Sequence, residues 1–289
     1  MMYKVQESID QNYRVYELID SLTNSWVKIA PERGGIIYSY GVKGEELLYL
    51  NEETFYNEEK NVRGGIPILF PISGQLANGT YEWEGKTYAM SNHGFARNAS
   101  WEVIGQEADN RAFLSIRITS NEQTKLSYPF DFTVIFTYVL EGGKLMIKQE
   151  YNNLGDSPMP IYAGFHPYFK TSEKNLGYET DATKYYDYND DQIKQFTGRV
   201  DLTNLKESVV FINSNDSSIS FGDPAEKKRI KLSYGEQFKY IVLWTESGND
   251  FVCVEPWMAK TDELNRKEEL VIIKGNESLV TELSIEVKE

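Results

Sequence analysis

The chain has 289 residues, 40% of them hydrophobic and 26% charged, an ordinary balance for a globular protein with a sizeable core that excludes disordered and collagen-like classes. Thirty Lys and Arg stand against 44 Asp and Glu, a formal charge of −14, so phosphate backbones and anionic lipid are repelled, and neither nucleic acid nor a membrane is an expected partner. The single cysteine, Cys253, excludes an intramolecular disulfide framework and any multi-cysteine metal site.

Taken in chain order, the N-terminal stretch lacks the apolar run of a signal peptide, and no segment approaches the roughly 18 apolar residues of a membrane span. The expected location is therefore cytoplasmic. Arg63-Gly-Gly-Ile-Pro-Ile-Leu-Phe-Pro-Ile-Ser-Gly74 is too broken by Gly and Pro for a helix or central strand and too apolar for a solvent loop. It is expected to wrap the core or line a cavity. Leu114, Ile116 and Ile118 alternate with Ser115, Arg117 and Thr119, the period of a half-buried strand. Two further apolar runs, 130–140 and 144–151, flank Glu141-Gly-Gly143 and predict a β-hairpin. Strands are also predicted at 240–244, 251–254, 270–273 and 279–287, separated by turns of Gly, Asn, Asp and Ser. Residues 261–269 form the best helical segment, and it is short. Strands do not alternate with long helices, so a doubly wound sheet or (β/α) barrel is not expected. The chain reads as a single domain over 1–289, mostly antiparallel β of sandwich type.

Few residues can carry chemistry. The two histidines, His93 and His166, sit among glycines and aromatics, and either can exchange a proton near neutral pH or simply be a satisfied core histidine. Glu255 is the one charge in the apolar run Phe251-Val-Cys-Val-Glu-Pro-Trp257. Period-two alternation puts Phe251, Cys253 and Glu255 on one face. A carboxylate there loses solvation, which raises its pKa and makes it a better base near neutrality; an exposed strand-end glutamate is the plain alternative. Arg63 and Arg97 are able to clamp hydroxyls or an anion, or to form structural salt bridges. No Gly-x-Ser-x-Gly elbow, His-Glu-x-x-His zinc motif or dinucleotide fingerprint occurs, and nothing demands a cofactor or a metal.

Four segments, in order, resemble the aldose 1-epimerase (mutarotase) superfamily, in its LacX-like and hexose-6-phosphate epimerase branch. They are Arg63-Gly-Gly-Ile-Pro with Phe70-Pro71, His93-Gly-Phe-Ala-Arg97 followed by Trp101, Gly164-Phe-His-Pro-Tyr168, and Glu255-Pro-Trp257. The resemblance implies an all-β, galactose-mutarotase-like antiparallel β-sandwich (supersandwich) with its site on a curved sheet face. It implies Glu255 as catalytic base, His166 as catalytic acid and His93 as the residue that binds and orients the sugar. Arg63 and Arg97 match arginines near the substrate, and Asp201 falls loosely on an aspartate that binds sugar hydroxyls. Trp257, Tyr168 and Phe95 offer rings to the sugar face, although core packing is the commoner role for each. His-Gly-Phe-Ala-Arg stands here where galactose mutarotases have His-Gly-Gly, which argues against galactose itself.

The function so implied is interconversion of the α and β anomers of an aldose by ring opening and closure, in a monomer or homodimer with a small sugar as its partner. The nearest rival is epimerisation of a hexose 6-phosphate, with Arg63, Arg97 and Lys86 on the phosphate. A non-catalytic sugar-binding or regulatory protein would not need both Glu255 and His166, and a glycoside hydrolase would need a second carboxylate.

Overall fold

The computed structural model describes residues 2–288 and is built from antiparallel sheets of five, nine and eight strands, with two small two-stranded pieces. The hairpin predicted at 141–143 forms. Phe132–Glu141 and Lys144–Asn153 pair in register from Phe132 opposite Asn153 to Glu141 opposite Lys144, which leaves a two-residue turn at Gly142-Gly143. Ala112–Thr119 joins this hairpin, and its inward Leu114, Ile116 and Ile118 are buried as the alternation required. Ser278–Lys288 pairs along the other side of Lys144–Asn153. These four strands are consecutive neighbours in the nine-stranded sheet.

The eight-stranded sheet lies face to face with it, and aromatic rings interlock between the layers. Phe136 meets Phe165 at 5.8 Å between ring centroids, Phe221 meets Phe169 at 4.9 Å, and Tyr178 meets Phe211 at 5.8 Å. Each such ring removes a large apolar area from water, and edge or tilted contacts add about 0.5–1.5 kcal/mol apiece. The sandwich expected from composition and period is the fold observed.

Phe251–Trp257 runs inside the eight-stranded sheet, between Tyr240–Trp244 and the short strands Gly164–Phe165 and Tyr168–Lys170. All seven of its residues are buried, because both faces are covered. Val252 and Val254 join the main core, while Phe251 and Cys253 pack with Tyr168 on the opposite face. The segment predicted to wrap the core or line a cavity does both: Ile68–Leu69 pairs with Gly164–Phe165, and Gly74 reaches the cleft wall.

The α-helices are short among the described residues: Glu52–Tyr56, Glu122–Lys125 and Glu263–Arg266. The helix expected over 261–269 is therefore confined to four residues, because left-handed Asp262 and Lys267 close it at both ends. Among the described residues, no helix is long and apolar enough to cross a membrane.

Candidate active site

Glu255, Trp257, His166 and His93 converge on a cleft of about 460 Å³ at the outer face of the eight-stranded sheet. Glu255 and Trp257 come from alternate positions of one strand, which places both on the face opposite Val254. His166 lies between the two short strands that flank it. His93 arrives on a separate loop whose Gly94 is bridged to Phe70.

The Glu255 Oε1 atom stands 3.5 Å from His166 Nε2, while Oε2 accepts a 3.1 Å hydrogen bond from the Trp257 indole N–H. Glu255 is 1% exposed. Burial pushes its carboxyl well above the usual carboxylate range, against the opposing pull of the Trp257 N–H and the Arg97 charge. His166 is held well below the usual imidazole value by burial first, then by His93, Arg97 and Arg63. Its ring stacks on Tyr168 at 4.7 Å with planes 12° apart, and its Nδ1 atom is buried without a hydrogen-bond partner.

His93 has φ 66°, in the left-handed region, and two hydrogen bonds to one residue hold it there. Its N–H donates to the Gly74 carbonyl at 2.8 Å, and its Nδ1 accepts from the Gly74 N–H at 3.0 Å. That second bond assigns the tautomer: Nδ1 is the acceptor, so neutral His93 carries its proton on Nε2 and is a donor there. Burial first, then Arg97 and Arg63, draw its pKa down to about 3.

Arg63 lines the cleft with its guanidinium 5.3 Å from the Trp244 ring centroid. Arg97 is 7% exposed, is not among the residues that line the cleft, and donates a 3.3 Å bond to the Val62 carbonyl. Neither arginine is in an ion pair among the described residues, so the salt bridges that would make them purely structural do not form.

Four more of the expected residues lie outside the cleft. Asp201 lies exposed at the edge strand Arg199–Asp201 of the nine-stranded sheet, where it accepts from the Thr203 N–H and hydroxyl; it does not reach the cleft. Lys86 is exposed on the separate small hairpin and is also outside the cleft. Of the three rings offered to the sugar, only Trp257 lines the cleft; Tyr168 is fully buried beneath His166, and Phe95 packs against Phe70 and Phe132.

Sequence reasoning did not single out Gln75, Asn92, Trp244, Glu207 and Ser208, which also line the walls. Gln75 and Asn92 adjoin motif residues and were within reach of inspection. Glu207 carries no local signal, because its loop is placed from a distance: the Asn189 side chain accepts from the Lys206 and Glu207 N–H groups, and Trp244 donates to the Lys206 carbonyl. Among the described residues, His166, Cys253 and Glu255 each bring one donor atom within 4.8 Å of the others.

An antiparallel sandwich carrying one carboxyl–imidazole pair in an open cleft defines a domain suited to exchanging protons with a small polar ligand. The aldose 1-epimerase family model matches residues 16–286, and the chain belongs to that family. It is 35% identical to a solved protein of Synechocystis sp. PCC 6803, with a TM-score of 0.92 over 99% of each chain. A galactose mutarotase-like protein from Clostridium acetobutylicum shares the fold at 20% identity, with a TM-score of 0.83 over 99% of each chain. A Salmonella typhimurium protein with the provisional name glucose-6-phosphate 1-epimerase is 34% identical over 92 residues; the match spans 32% of this chain and 28% of that relative.

Proposed function

We propose that the protein is an aldose 1-epimerase in which Glu255 and His166 open and close a sugar ring. The observation that carries this reading is the 3.5 Å approach of Glu255 Oε1 to His166 Nε2, both buried at one cleft. Glu255 takes the proton of the anomeric hydroxyl, and the O1 electron pair forms the C1 carbonyl. The C1–O5 bond breaks, and O5 receives a proton from His166. Rotation about C1–C2 presents the other carbonyl face; on closure His166 takes the proton back from O5 and Glu255 returns one to O1. One proton is shared by the pair throughout, so its titrations belong to the pair and not to either residue. Burial favours the neutral form, carboxylic acid beside neutral imidazole, and transfer across the short gap converts it to the reacting form. His93 donates from Nε2 and orients a sugar oxygen.

A second reading is favoured by the two arginines. Arg63 at the cleft, and Arg97, which lies outside the cleft lining but near enough to lower the pKa of His93, carry positive charge that no carboxylate neutralises by an ion pair among the described residues. That supports a substrate with its own anion, a hexose 6-phosphate, above a neutral hexose. Polarimetry of freshly dissolved α-glucose and α-galactose, with exchange NMR on glucose 6-phosphate, tests both readings. Anomerisation faster than the spontaneous rate and lost in His166→Ala is the expected result, and the faster substrate decides between them. No acceleration of any of the three would leave a sugar-binding protein without turnover.

A further inference from the structure

The Trp257 indole occupies a slot that the chain keeps open for it. A Cβ atom at Gly74 would lie 2.9 Å from Trp257 Cζ3, at the benzo end, and one at Gly164 would lie 2.9 Å from Cδ1, at the pyrrole end. Real side chains do not tolerate such distances to a packed ring. Two glycines from two separate segments are therefore what lets this ring sit where it does. The His93 ring, 5.7 Å away at 75°, closes a third side. A ring held this way has little freedom to slide beneath a sugar, and its one polar atom is already committed to Glu255 Oε2 at 3.1 Å.

We propose that Trp257 is a positioning residue: its N–H pins Glu255 Oε2, so that Oε1 alone is presented to substrate beside His166. The inference rests on the acid–base reading above and departs from the sugar-platform role first expected of this tryptophan. A buried carboxyl that lost this bond would be free to turn about its last torsion, and the reacting oxygen would lose its place. Misplacement of about 1 Å at a reacting atom costs on the order of 100-fold in rate. The bond also favours the charged carboxylate, so its loss raises the proton affinity of Glu255 and moves the acid limb of the rate profile to higher pH. The other ionisable groups around Glu255 are His166, between the flanking short strands, with Tyr168 beneath it, Cys253 from its own strand, His93, Arg97 and Arg63 from the loops, and Glu207 and Tyr188 in the cleft wall. All of them are retained in the variants below.

The test uses Trp257→Phe and, for an exact fit to the slot, replacement of Trp257 by 3-benzothienylalanine, which exchanges the N–H for sulfur. The expected result is a kcat about 10- to 100-fold lower, a KM within about threefold of wild type, and an acid limb shifted upward. A raised KM with unchanged kcat and an unmoved profile would make the indole a sugar platform and overturn the proposal; unchanged kinetics in the benzothienyl protein would overturn it equally. Infrared titration of the Glu255 carboxyl stretch, assigned by subtraction of Glu255→Gln, reads the same bond without turnover. The carboxyl should titrate at higher pH in both variants, and an unmoved titration sinks the idea even if no aldose is turned over.

Discussion

At single residues, burial sets both the chemistry and its cost. Neutral His93, with a folded pKa near 3, refuses a proton that the unfolded chain accepts at about 6.5. The unfolded state therefore binds more protons through that window, and stability falls as pH drops from about 6.5 towards 3, by about 1.4 kcal/mol per pH unit. His93→Asn, a residue that tolerates the left-handed backbone, should lose about 2 kcal/mol less than wild type between pH 6.5 and 4.5. Urea denaturation at the two pH values checks this, and parallel losses would refute the buried neutral state. Glu255 has the opposite sign: a carboxyl raised by burial binds its proton more tightly folded than unfolded, so it withdraws stability as pH rises above about 4.5. Glu255→Gln should cost at least about 100-fold in turnover while gaining roughly 1–2 kcal/mol at pH 8, read by calorimetry beside the polarimetric assay.

At the scale of elements, the site depends on a strand that is buried on both faces and on a loop held by backbone contacts. Gly94 is the pivot of that loop. It has φ +71°, and a Cβ there would lie 2.2 Å from the Phe70 carbonyl oxygen, the same oxygen that accepts the N–H groups of Phe95 and Ala96. Gly94→Ala must push two backbone segments apart and carry His93 with them. It should cost about 2 kcal/mol or more and most of the turnover. The control is Gly85→Ala, also at positive φ but with nothing within 4 Å, for which about 1 kcal/mol and unchanged turnover are expected. Equal effects of the two would mean that the Phe70 contact is not what holds the loop.

At the scale of the whole molecule, the two large sheets separate what the sequence had grouped. Asp201 belongs to the edge of one sheet and Glu255 to the interior of the other. Asp201→Asn should therefore leave KM and kcat within about twofold of wild type in the same polarimetric assay; a KM raised tenfold would place a sugar contact where the fold has none. The −14 overall charge and an arginine, Arg63, in the cleft wall are compatible for the same reason: a local pocket overrides a global field within about one Debye length, ~8 Å at physiological ionic strength.

Strand period, the Gly-Gly hairpin and the scarcity of helical pattern made the sandwich legible from the chain alone, because alternation along a strand is a local consequence of which face is buried. Glu255, His166, His93, Arg63 and Trp257, which the fold gathers around one cleft, each stand out in the chain as a charge or ring set in glycine- and proline-broken apolar runs, where solvated surface and plain core are both poor explanations. Asp201 was misplaced because its segment matches the pattern only loosely and nothing local says which sheet it joins. Only the tertiary structure decided that Trp257 turns its N–H to Glu255, that His93 presents Nε2, and that Glu207 reaches the cleft rim. Those outcomes depend on Gly74, Gly164 and Asn189 meeting residues far away in the chain, and contacts between distant segments leave no period in a sequence.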